Sequence, residues 1–187
     1  MLNFMARFFQ YSLEEDMRFI DKIRYRRMNR DERLEFLRKK GVKIGTGCEV
    51  FPEVEFGSEP YLIEIGNDVR ITNGVKFVTH DGGVWVLRNM NKLPNADIFG
   101  KIIIGNNVHI GWNSIIMPNV TIGDNCIIGC GAVVTKDIPS NSVAVGVPAR
   151  VIKTIEEYYE QNKEKADFTK HMNQEEKKKY LFNKYKL

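Results

Sequence analysis

The sequence predicts a mainly β fold, a solenoid of stacked three-sided coils with one ejected loop and α-helical flanks, and three observations carry this. Ile104, Ile110, Ile116, Ile122, Ile128 and Val134 recur every six residues. A second register follows each by four, at Val108, Ser114, Val120, Cys126, Ala132 and Ile138. Gly-led triplets, Gly66-Asn67-Asp68, Gly105-Asn106-Asn107 and Gly123-Asp124-Asn125, punctuate the repeat.

Residues 1–41 read as a helical flank. Ser12 to Glu15 and Asn29 to Glu32 have capping-box spacing, Asp31 is a competing cap, and Gly41 suits the end of a second helix. Leu13, Met17, Ile20 and Ile23 form an apolar stripe, read as a packing face rather than a membrane-binding one.

Residues 42–153 form the repeat domain. A six-residue period fits neither a helix nor a simple alternating strand, so the chain must turn a corner once per repeat, and three repeats close one coil. Both registers extend upstream, through Ile44, Val50, Phe56 and Leu62 with Val42, Cys48 and Val54, then Ile65, Ile71 and Phe77 with Val69 and Val75. These side chains should point inward, each buried Ile or Val contributing roughly 1.5–3 kcal/mol. The triplets should supply the positive φ that corners need.

The period fails between Phe77 and Ile104, over an interval not divisible by six that includes His80-Asp81-Gly82-Gly83, Trp85, Arg88 and Pro94. A loop inserted at 79–101 costs little closure entropy and projects side chains outside the stack, so the functional site is expected there. After Ile138-Pro139 the register ends, and Gly146-Val147-Pro148-Ala149-Arg150 reads as an irregular cap. Residues 154–187 read as two more helices with cap spacing at Thr154 to Glu157 and Asn173 to Glu176, and Lys177-Lys178-Lys179 as a solvated face.

Composition narrows the function classes. Lys and Arg number 28 against 24 acids, but residues 41–150 hold eight basic and ten acidic residues. A basic folded core with interleaved aromatics, the mark of a nucleic-acid binder, is missing. Cys48, Cys126 and Cys130 show no disulfide or zinc-knuckle spacing and fit a reducing cytoplasm. The run from Leu2 to Phe9 is too short to span a bilayer and lacks a small-residue cleavage site.

The segment from Ile102 to Lys153, which includes IGNNVHIGWNSIIMPNVTIGDNCIIGCGAVVTKDIP and GVPARVIK, together with Thr79-His80-Asp81 in the inserted loop, resembles the hexapeptide-repeat acyltransferases. The likeness covers residues 42–153 and is strongest to galactoside and maltose O-acetyltransferases and to polysaccharide O-acetyltransferases. It implies a left-handed parallel β-helix, a homotrimer with active sites between subunits, and acetyl-CoA as cosubstrate without a metal. The galactoside and maltose enzymes carry a different helical N-terminus and a sugar-contacting Asn near the position of Val54-Glu55-Phe56. That departure shifts the expected acceptor toward a surface saccharide or its precursor.

Acetyl transfer to an alcohol needs a base for the hydroxyl proton, and an imidazole, with an ordinary pKa near 6.5, suits neutral pH. His80 is that base by resemblance, the plain alternative being a loop histidine that bonds backbone. Asp81 is expected to orient the ring and stabilise its protonated form, an acceptor contact or a loop cap being the equal alternatives. Trp85 and Arg88 are expected to meet the acceptor, by stacking and by a planar guanidinium, unless Trp85 anchors the loop on a neighbouring subunit. The resemblance puts Trp112, Cys130, Thr135, Lys136, Arg150 and Lys153 along the cofactor, with Lys136, Arg150 and Lys153 able to meet phosphates and the Trp112 N–H facing the oxyanion. His109 is expected on the outside of a corner, Cys130 outward, and Cys48 and Cys126 inward. Other readings remain open: an amino-sugar or antibiotic N-acetyltransferase, a carbonic-anhydrase-like zinc enzyme using His80, His109 and His171, or a non-catalytic scaffold.

Overall fold

The computed structural model describes residues 24–187; the expected Ser12–Glu15 cap and the stripe Leu13, Met17, Ile20 and Ile23 lie outside them. The chain forms two compact units, one ending at Ile155 and one covering Glu156–Leu187. The first is a β-helix plugged at its base by helix α1 (Arg30–Lys39).

Its strands are short: β1 (Lys43–Ile44), β2 (Glu49–Val50), β3 (Ile63–Ile65), β4 (Arg70–Ile71), β5 (Lys76–Phe77), β6 (Ile102–Ile104), β7 (His109–Ile110), β8 (Ile115–Ile116), β9 (Thr121–Ile122), β10 (Ile127–Ile128), β11 (Val133–Val134), β12 (Ser142–Val145) and β13 (Arg150–Thr154). They build three sheets in the orders β1-β3-β6-β9, β2-β4-β7-β10-β12-β13 and β5-β8-β11. Every pairing is parallel except that of β12 with β13. The fold is the left-handed parallel β-helix that the repeat and its resemblance predict.

Register fixes the size of each coil. Ile104 pairs with Ile122, so the coil between them contains three plain hexads, whereas the last coil, from Ile128 to its partner Ala144, is two residues shorter. Ile44 pairs instead with Ile65, a step of three hexads and three further residues. Ile65 pairs with Ile104, so the second coil carries the whole ejected loop on top of its three hexads. The short insertion in the first coil overturns one expectation: Leu62 ends a 3₁₀ turn (Pro60–Leu62) and is only half-buried, while Ile63 and Ile65 point inward.

Inward residues stack as aliphatic columns, with Ile63, Ile71, Ile102, Ile110, Ile116, Ile122 and Ile128 fully buried. Cys48 and Cys126 belong to the second register, and burial raises the pKa of both thiols; Cys130 is exposed. Buried Ser114 is satisfied by donating to Gly111 O and Gly129 O at 2.8 and 3.0 Å.

The corner triplets divide their labour differently from expectation. Positive φ falls on the third residue, Asp68, Asn107 and Asn125, at 57°, 53° and 54°. The leading glycine serves close approach instead: a Cβ on Gly105 would stand 2.5 Å from Asp124 Oδ1 and 2.8 Å from the Gly123 carbonyl carbon. The middle residue builds a ladder, the Asn67 N–H donating to Asn106 Oδ1 and the Asn106 N–H to Asp124 Oδ1 at 2.9 and 2.6 Å.

The lowest coil has carbonyls with no coil beneath them, an open edge that would otherwise invite pairing. Helix α1 covers it. Arg30 donates to Cys48 O, Arg33 to Val50 O, and Arg38 to Ile44 O and Gly45 O, at 2.7 to 3.1 Å, while Leu34 and Leu37 bury against the core. The Asn29/Glu32 capping box starts α1, and Gly41, at φ 96°, follows its end.

In the second unit, helix α3 (Ile155–Asn162) leads on to α4 (Gln174–Tyr185), which starts from a complete Asn173/Glu176 capping box. Asp167 accepts from Tyr180 Oη at 2.5 Å and Lys184 Nζ at 2.6 Å. Lys177, Lys178 and Lys179 are exposed. No helix among the described residues is long and apolar enough to cross a membrane.

Candidate active site

Both insertions serve one corner, the end of β5. The long insertion of the second coil leaves through a hairpin-like base: Thr79 O accepts from the Gly100 N–H at 2.8 Å, the Asp81 N–H donates to Ile98 O at 2.8 Å, and His80 bridges antiparallel to Phe99. Past this base helix α2 (Val84–Asn89) turns the loop, with Val84 buried beneath it. The short insertion of the first coil carries Glu59 to the same corner.

Glu59 is the residue that sequence reasoning missed. Its Oε2 accepts from Ser58 Oγ and Thr79 Oγ1, each at 2.9 Å, and lies 3.3 Å from His80 Nδ1. Its side chain is 16% exposed, against 46% for His80. The Ser58 hydrogen bond, aided by those of Thr79 and His80 and opposed by partial desolvation, holds its carboxyl below the usual carboxylate range. An ionised carboxylate only accepts, so it fixes the proton of a neutral imidazole on Nδ1 and leaves the Nε2 lone pair for chemistry. The imidazole also meets the Phe99 ring edge-on, centroids 6.5 Å apart. The missed signal was the step from Phe56 to Ile65, longer by half a hexad than the period allows.

Asp81 caps the loop in this structure. Its Oδ1 accepts the Gly83 N–H at 2.8 Å, the loop-capping alternative, because the side chain next to His80 in sequence diverges toward the start of α2. Arg88 is likewise engaged within the loop. Its Nη1 donates to Ala96 O at 2.6 Å and Asp97 Oδ1 at 2.5 Å, tying α2 to the returning limb, and its guanidinium lies 5.7 Å from the Trp85 ring centroid. Trp85 is 62% exposed. Glu59, His80, Asp81, Trp85, Arg88 and Phe99 are among the residues that line a cleft of about 410 Å³.

The residues expected at the cofactor occupy the upper coils. Trp112 and exposed Cys130 stack at one corner, where the Gly131 N–H donates to Trp112 O at 2.7 Å. Thr135 and Lys136 follow β11, exposed, at the edge of the β5-β8-β11 sheet where His80 leaves it. The turn between β12 and β13 lies on β11, with Val133 N–H donating to Gly146 O and Ala149 N–H to Val133 O, and brings Arg150 to that end of the stack. Lys153 pairs with Val143 in the β12-β13 hairpin. The exposed aromatic and free thiol thus lie at one corner, Lys136 at the opposite edge of the same sheet, and Arg150 and Lys153 in the β12-β13 hairpin.

Within one chain, Trp112 and His80 stand at opposite edges of the β5-β8-β11 sheet. The Asn113 N–H donates to Asn73 O, and from that corner the chain runs along β5 to reach His80 at the next corner. His109 lies on a flat face in β7 rather than on a corner as expected, half-buried between Arg70 and Ile127; burial, then the Arg70 charge, lowers its pKa.

The family described as "Bacterial transferase hexapeptide (six repeats)" matches residues 101–136. Protein CapG of Staphylococcus aureus is 56% identical over 153 residues, 80% of this chain and 87% of that one. A galactoside O-acetyltransferase of Lactococcus lactis is 31% identical over 143 residues, 67% of this chain and 69% of its own. Among solved structures, a galactoside acetyltransferase in complex with coenzyme A superimposes with a TM-score of 0.54 at 29% identity, covering 80% of this chain and 82% of that one. Repeat, coil, loop and relatives agree: the chain belongs to the hexapeptide-repeat acetyltransferases and is an enzyme of that family.

Proposed function

We propose that the chain transfers acetyl from acetyl-CoA to a hydroxyl of a saccharide, a surface polysaccharide or its precursor, with His80 Nε2 as general base. The observation that carries this reading is the Glu59–His80 pair in the loop cleft, which leaves one imidazole nitrogen for the acceptor. Nε2 takes the hydroxyl proton as the oxygen bonds the acetyl carbon; the carbon–sulfur bond breaks, and the proton returns from the imidazolium to the departing thiolate. The backbone N–H of Trp112 suits the oxyanion, and Lys136, Arg150 and Lys153 suit the phosphates. Because Trp112 and His80 stand at opposite edges of the β5-β8-β11 sheet in one chain, a site that uses both takes Trp112 from a second copy, in keeping with a homotrimer. Exposed Trp85, steadied by Arg88, offers the sugar a stacking face. The O-acetylating relatives support ester rather than amide formation, and unpaired thiols suit a reducing cytoplasm.

Thiol release from acetyl-CoA across nucleotide sugars, oligosaccharides, lipid-linked glycans and amino sugars tests the reading. We expect an alkali-labile acetyl ester on a sugar hydroxyl, mapped by mass spectrometry. An alkali-stable amide, or no release with any glycan, overturns it.

A further inference from the structure

We infer that Glu59 is the positioning residue of the reaction: it acts through His80, fixing the ring's tautomer and orientation and stabilising the imidazolium that forms when Nε2 takes the acceptor proton. This rests on the proposed role of His80. Four observations carry it. The short insertion that displaces Leu62 from the core is what brings Glu59 to the ejected loop, so this break in the repeat ends on the imidazole. Glu59 Oε2 gathers three partners from two coils, Ser58 and Thr79 by hydroxyl and His80 by Nδ1. Thr79, which supplies one hydroxyl, is fully buried at the loop base, so the carboxylate has one fixed, solvent-shielded partner there. The imidazole also meets the Phe99 ring edge-on, a second contact on the same ring.

The adjacent carboxylate, Asp81, instead accepts the Gly83 N–H. Proton accounting leaves Glu59 unchanged through the cycle. The acceptor proton moves to Nε2 and on to the sulfur; the Nδ1 proton stays on the ring, shared toward Glu59, whose negative charge offsets the transient cation.

The test is Glu59→Gln, which keeps size and removes charge. Turnover is expected to fall roughly 10- to 100-fold, less than the ~10⁴ of a fully buried triad carboxylate because this pair is longer and partly solvated. Acceptor KM should change less than kcat, and the acid limb of the pH–rate profile should move to lower pH, since the cation loses its partner. Ring ¹⁵N spectra of His80, which require no substrate, should show Nδ1 protonation in the parent and a mixed or Nε2-protonated ring in the variant. Unchanged turnover, or lost turnover with the tautomer and acid limb unmoved, overturns the proposal. Glu59→Asp keeps the charge, and is read if Glu59→Gln does not fold. It should lose less turnover and keep the parent's acid limb, whereas a limb displaced to lower pH overturns the proposal. Full activity in His80→Ala would instead sink the general-base reading while the ¹⁵N spectra still tested the positioning.

Discussion

The stacked coils and the ejected loop are built from similar residue types under opposite constraints. In the upper coils, backbones from neighbouring turns approach so closely that a methyl on Gly105 would meet Asp124 N at 2.9 Å and its Oδ1 at 2.5 Å. In the loop, nothing lies within 4 Å of where a Gly82 Cβ would be. The stack derives its stability from repeated close contact and tolerates little variation. The loop is held at a few points, the Thr79–Gly100 base and the Arg88–Asp97 strap, and its remaining side chains are free to address a ligand.

The largest expected effect separates chemistry from scaffold. His80→Ala should lower turnover by about 10² to 10⁴ while the thermal midpoint stays nearly unchanged, because the ring is nearly half exposed and contributes little packing. A midpoint that drops together with activity would show that the loop corner is a structural joint after all.

Next in size is one substitution made in both regions. Gly105→Ala should cost about 1–3 kcal/mol in urea unfolding through overpacking against the next coil's backbone, whereas Gly82→Ala should stay within about 0.5 kcal/mol of the parent. Equal losses at the two sites would erase the distinction between stack and loop.

The smallest effect is read in pH. His109 is held neutral by burial on the β7 face beside Arg70, which itself pairs with Glu49 at 2.8 Å. Its folded pKa lies below the ordinary value near 6.5, so its contribution is complete above that value. As pH falls below it, the unfolded chain takes up a proton that the folded chain resists, and stability declines. The urea midpoint should therefore fall as pH is lowered from about 7 to about 5, and His109→Gln should flatten that slope; parallel slopes would refute the assignment. Glu59 and Asp167, whose folded values are lowered by hydrogen bonding, lose their contribution in a more acidic window.

The repeat was legible because each hexad restates the same requirement. A large aliphatic and a small apolar side chain recur wherever the chain must face inward, so Ile104 to Val134 declare the coil without any long-range information. The failure of that period likewise marked the loop and His80. Asp81 was harder: adjacency in sequence suggested partnership, but neighbouring side chains diverge, and its carboxylate found the Gly83 N–H.

What the sequence determined by itself was the period, the inward registers, the caps at Asn29 and Asn173, and the place where the stack is interrupted, all consequences of local spacing. Only the tertiary structure decided that Glu59 meets His80 and that Arg88 is committed to the loop. It also decided that arginines of α1 close the open edge of the first coil. These contacts join residues well separated along the chain through coil closure and loop folding, and their geometry depends on how many residues each turn contains, a quantity that no single hexad records.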